Sequence, residues 1–110
     1  MAEVKYIRTY EISLSASETK TEAIKFVAPE GEQIRIDYFI VDATGKAEIK
    51  GWYDNDLRID IYTTLTPASE RGINPGILLE PGRTFSIDII DLSGAANTVT
   101  IYLEYTKITP

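Results

Sequence analysis

Apolar residues recur at every second position in seven separate stretches of this chain, and that period of two constrains its fold more than any other feature. A strand turns successive side chains to opposite faces, so each stretch reads as a strand with one face made for a core. Residues 4–14 align Val4, Tyr6, Tyr10, Ile12 and Leu14, with Arg8 breaking the row. Residues 22–28 align Ile24, Phe26 and Ala28. Residues 33–43 place Ile34, Ile36, Tyr38 and Ile40 on one side and Phe39 and Val41 on the other. Residues 46–53 set Ala47, Ile49, Gly51 and Tyr53 opposite Trp52. Residues 57–65 give the most regular alternation: Leu57, Ile59, Ile61, Thr63 and Leu65. A short apolar piece at 77–79 follows, then Phe85, Ile87 and Ile89 in 84–91, then Val99, Ile101, Leu103 and Tyr105 in 97–108. The stretch 15–22 is a polar connection, and no amphipathic helix pattern is present.

Turn chemistry separates the strands. Asp54-Asn55-Asp56 is built from residues that bond their own backbone, and Pro-Glu-Gly (29–31) and Glu-Pro-Gly (80–82) combine a fixed φ with a free one. One segment occurs twice: PEGEQIRIDYFIVDATG (29–45) and PGRTFSIDIIDLSG (81–94) share a Pro/Gly opening, a strand through Ile-Asp and a close on Asp-x-Thr/Ser-Gly. The match needs a two-residue slip at Tyr38-Phe39 and predicts two similar hairpin units, one in each half. One apolar face per strand predicts an all-β fold, a single antiparallel β-sandwich of about eight strands occupying residues 1–110. The duplication favours a jelly roll over the alternative, an immunoglobulin-like sandwich, whose Cys…Trp…Cys signature is missing.

Composition excludes several chemistries. The 110 residues contain no Cys and no His, which removes thiolate and imidazole metal sites and Ser-His-Asp or Cys-His catalysis. A formal charge of −6 argues against nucleic-acid binding, because phosphate backbones repel it. No apolar run approaches the length of a membrane span, and MAEVKYIRTYEISL lacks the apolar core of a signal peptide. The expectation is a protein without a membrane and without a cofactor, made in the cytoplasm.

Four groups of residues are candidates for function. Trp52-Tyr53 beside Asp54, Asn55 and Asp56 pairs stacking aromatics with oxygen ligands, the makings of a calcium-assisted carbohydrate site, although an EF-hand's Gly and Glu positions are unfilled. Asp37, Asp42, Asp60, Asp88 and Asp91 offer carboxylates. Strand parity turns Asp37 and Asp88 to solvent, and Asp42 and Asp91 sit as turn caps, so no catalytic residue is assigned. Ser69-Glu70-Arg71-Gly72 lies in the long Pro/Gly-bearing stretch 66–83, where Arg71, Ile73 and Asn74 are candidate contacts. Trp52, Tyr62 and Tyr102 lie opposite the inferred core face, as aromatics at a second buried surface would.

The stretch LLEPGRTFSIDIIDLSGAANTVTIYLEYTKI resembles the C-terminal strands of small β-sandwich proteins of tailed-phage and other viral particles, over roughly residues 77–110. The resemblance implies a decoration, minor capsid or fibre-type protein, assembled into the virion in the host cytoplasm. It implies a homo-oligomer, a trimer above all, touching other particle proteins, and carries no site residue with it. The expected function is thus non-enzymatic assembly through Trp52, Tyr62, Tyr102, Arg71, Ile73 and Asn74. The alternative is a carbohydrate-binding module.

Overall fold

Strands form wherever the alternation runs. The computed structural model describes residues 2–63 and 72–110 and contains β1 (Ala2–Leu14), β2 (Thr19–Val27), β3 (Gln33–Ala43), β4 (Ala47–Tyr53), β5 (Asp56–Tyr62), β6 (Ile77–Leu79), β7 (Thr84–Asp91) and β8 (Asn97–Thr109). They build two four-stranded antiparallel sheets, ordered β1-β8-β3-β6 and β2-β7-β4-β5. β1 pairs with β8, β2 with β7, β3 with β6 and β4 with β5. That is the order of one long hairpin rolled across two sheets, the jelly roll. Among the described residues only β4 and β5 are consecutive strands within a sheet, so the immunoglobulin-like alternative does not apply.

The core lies between the sheets. Ile34, Ile36, Phe39, Val41, Ile49, Phe85, Ile87, Ile89, Val99, Ile101 and Leu103 are buried there. Two expectations change. In β3 the ladder passes from Ile36 opposite Tyr105 to Tyr38 opposite Glu104, leaving Asp37 as a bulge. One extra residue reverses strand parity. Phe39 and Val41 therefore point inward, and Tyr38 and Ile40 turn out, where Gly72 lies so close that a Cβ there would collide with the Tyr38 hydroxyl. The two-residue gap in the repeated segment, at Tyr38-Phe39, directly follows this bulge. Secondly, the repeats are not hairpins. β3 and β7 are interior strands of opposite sheets, and the turns after them cross the sandwich.

Those two turns meet at a buried polar knot. Asp91, 3% exposed, accepts hydrogen bonds from the backbone N–H of Ser17, Ser93 and Gly94, the Ser93 hydroxyl and the Asn97 amide. Asn97 accepts from the Gly45 N–H and the Thr44 hydroxyl and donates to the Lys46 carbonyl. A Cβ on Gly45 would stand 2.9 Å from the Ser93 Cβ, so only glycine allows the loops this close. The Ser93 hydroxyl holds the Asp91 carboxyl well below the ordinary carboxylate range; burial opposes it, and the Asn97, Ser17 and Ser93 N–H groups reinforce it.

Candidate functional site

The β4–β5 hairpin and a bulge in β2 together raise the walls of a cleft. At the hairpin, Asp54 takes φ 52°, a left-handed turn position that Asp tolerates better than most residues. Its carboxylate accepts from the Thr84 N–H at 2.9 Å and the Arg83 guanidinium at 3.1 Å, fixing the hairpin tip to the start of β7. In β2 the pairing with β7 slips between Lys20 and Ile24, and Glu22 sits at φ 51°. Its N–H donates to Asp88 Oδ1 at 2.9 Å. The indole N–H of Trp52 donates to Asp88 Oδ2, also at 2.9 Å. A single carboxylate on β7 thus holds both walls. Thr21, Glu22, Trp52, Asp54, Asn55, Ser86 and Asp88 line a cleft of about 270 Å³. Beside it, Lys25, Arg83 and Thr84 extend the same outer surface.

Two ion pairs flank the cleft. Lys25 meets Glu22 at 3.0 Å and Arg83 meets Asp54 at 3.1 Å. Further along the same sheet face, Glu48 is 8% exposed and lies opposite Tyr62, with Asp60 one pair on. Hydrogen bonding to Asp60 lowers the Glu48 carboxyl, and the same bond raises Asp60. Tyr62 is raised chiefly by its hydrogen bond to Glu48.

The expected contact residues do not form one surface. Trp52 on β4 and Tyr62 on β5 share the outer face of β2-β7-β4-β5. Tyr102, on β8, lies on the opposite side of the sandwich, donating to Glu104 Oε2 at 3.1 Å. The reason is topological: β8 belongs to the other sheet, which strand parity cannot reveal. Ile73 forms a β-bridge with Phe39 and packs against the core, while Asn74 is exposed. Arg71, with Ser69, Glu70 and Leu65, lies outside the described residues.

Nor do Asp54, Asn55 and Asp56 converge as a calcium loop. Asp54 is held by Arg83 and Thr84, and Asp56 pairs with Arg58 at 2.7 Å. Among the described residues no group of three or more Asp or Glu could hold a metal ion. Asp37 and Asp88 do face outward as parity requires, but from opposite sheets and not into free solvent. Burial would raise Asp37, yet Arg35 Nε at 2.6 Å, the Thr106 hydroxyl at 2.6 Å and Lys5 outweigh it and hold the carboxyl low. Sequence reasoning missed Glu22, Glu48, Ser86 and the bond between Asp88 and Trp52. Alternation puts Asp88 and Trp52 on outer faces, but only the β4–β7 register makes them neighbours.

No protein-family model matches the chain, and no curated protein sequence matches it. Among solved structures, it is similar to the capsid of Helicobacter pylori bacteriophage KHP30, with 5% identity and a TM-score of 0.48 over 99% of this chain and 100% of that one. It is also similar to the core of Drosophila NLP, whose structure was described in relation to pentamer formation and histone binding. There the identity is 11% and the TM-score 0.43, over 87% of this chain and 96% of that one. The nucleoplasmin-like N-terminal domain of Drosophila FKBP39 follows, with 9% identity, a TM-score of 0.36 and 88% of each chain covered.

Proposed function

We propose that this chain is a non-enzymatic structural subunit that self-associates, and in its finer form a virion component of the decoration, minor capsid or fibre type. The observation that carries the reading is the open edge of β1. This strand runs 13 residues with β8 on one side only, and Val4 and Ile7 on it are 51% and 54% exposed. A long edge strand offers unpaired backbone groups to another chain, and soluble proteins normally blunt or cover it. Lys5 and Arg8 beside these residues guard the edge in the unassembled chain.

The sandwich has two unlike open sides. β1 touches β2 across the layers, so β1 and β2 form one side and β6 and β5 the other. Exposed Val4, Ile7 and Val27 belong to the first; exposed Leu57, Tyr62 and Leu78 belong to the second. Contact between unlike sides is heterologous, and where the rotation from copy to copy closes it gives a ring, of which a trimer is the smallest. The likeness of roughly residues 77–110 to small virion sandwiches supports the finer form, a chain assembled into particles in a host cytoplasm.

Light scattering tests this reading. The native chain is expected at three or more times its 12.3 kDa mass, and Ile7→Lys at 12.3 kDa with an unchanged circular dichroism spectrum. A native chain that stays monomeric at high micromolar concentration overturns it.

A further inference from the structure

The cleft around Trp52 carries an inference independent of self-association. Its lining combines an aromatic residue, Trp52, with the polar side chains of Ser86, Asp54, Asn55 and Asp88. Such a mixture of one apolar face and a few directed polar groups is what small-ligand sites are made of. Two observations narrow the ligand. Both cations at the cleft are already paired, Lys25 with Glu22 and Arg83 with Asp54, and Asp88 adds a carboxylate that accepts from the Glu22 and Trp52 N–H groups, so the cleft offers an anion nothing. What is left is hydrogen-bonding capacity around a flat ring. The walls are also pre-set. Asp88 fixes the indole through Nε1 and the β2 bulge through the Glu22 N–H, both at 2.9 Å. Glu22 is held at φ 51°, a conformation that costs a non-glycine residue free energy and persists only where its surroundings enforce it.

We propose that this cleft binds a neutral pyranose, with the sugar's C–H face on the Trp52 indole and its hydroxyls on Asp54, Asn55, Ser86 and Asp88. Calcium has no part in it, because no three carboxylates among the described residues converge to hold a metal ion. The site is small and shallow, so affinity falls in the range of about 1–10 mM, as for other fragments that bury few atoms.

Trp52 is the only tryptophan, so the intrinsic fluorescence of the native chain reports on the cleft directly. The probes are methyl glucoside, methyl galactoside, methyl mannoside and N-acetylglucosamine, titrated to about 50 mM. Inorganic phosphate and galacturonate serve as charged controls. At least one neutral sugar is expected to change the emission saturably, with neither control doing so. Amide NMR shifts in the same titration are expected at Thr21, Asn55, Ser86 and Asp88. Trp52→Phe, followed by those shifts, keeps a ring and is expected to weaken binding about fivefold; Asp88→Asn releases one wall and is expected to weaken it about tenfold. Ile7→Lys is titrated alongside and is expected to bind as the native chain does, which separates this outcome from that of the assembly reading. Absence of saturation with every neutral sugar, shifts confined to another surface, or equal binding by Asp88→Asn would each overturn the proposal.

Discussion

Residues 29–45 and 81–94 start from nearly the same sequence and end in different work. Both open on a tight turn with glycine in the left-handed region, Gly31 at φ 81° and Gly82 at φ 84°. Hydrogen bonds from Glu32 to the Pro29 carbonyl and from Arg83 to the Glu80 carbonyl close these turns. Both continue as an interior strand whose apolar residues, Ile34 and Ile36 or Phe85 and Ile87, are buried. The aspartates then diverge. Asp37 is a bulge residue in a charged network with Arg35, Lys5 and Thr106; Asp88 pins a tryptophan and a neighbouring bulge. Asp42 is exposed, while Asp91 is buried at the knot. Inward positions of a repeat are constrained by the shared core, whereas outward positions take whatever the adjacent strands present.

The shared part of that comparison is tested by the largest effect. Ile36→Ala and Ile87→Ala each remove a fully buried side chain and are expected to cost about 2–5 kcal/mol in urea unfolding, by similar amounts. A severe loss from one and a mild loss from the other would break the equivalence of the two strands.

Next come the aspartates that close the segments. Asp91→Ala strands several buried N–H groups, and the melting temperature is expected to fall by roughly 5–15 °C; Asp42→Ala should move it by no more than about 2 °C. Equal losses would mean that the two turns carry the same load.

Acid titration sharpens the same contrast. A carboxyl with a depressed folded pKa binds fewer protons folded than unfolded once pH drops near its unfolded value of about 4. Its stabilisation is therefore complete above that pH and lost as pH falls towards the folded value. The Asp91 carboxyl is held well below the ordinary range by its hydrogen bond from Ser93, and Asp37 is lowered too. Native stability should decline below about pH 4, and Asp91→Asn should flatten that decline more than Asp42→Asn does. Parallel curves for the two variants would remove Asp91 from the account.

The smallest effect separates the two mid-strand aspartates. Asp88→Asn should shift Trp52 emission, because one oxygen acceptor must now serve two donors, while Asp37→Asn on the far sheet should leave it unchanged. Melting temperatures of both should fall by only about 1–4 °C.

The period of two by itself determined the strands, and with one apolar face on each it determined a two-layer sandwich. Phe85, Ile87, Ile89, Val99, Ile101 and Leu103 were legible as core because an uninterrupted strand keeps its parity. Three matters were decided only in the tertiary structure. A single inserted residue at Asp37 turned Phe39 and Val41 inward, because parity counts residues and a bulge changes the count. The pairing order put Tyr102 and Trp52 on opposite sides of the molecule, because sheet membership depends on which distant strands meet. Register set Trp52 beside Asp88 and Glu48 beside Asp60, residues separated along the chain and joined by hydrogen bonds that no local pattern encodes.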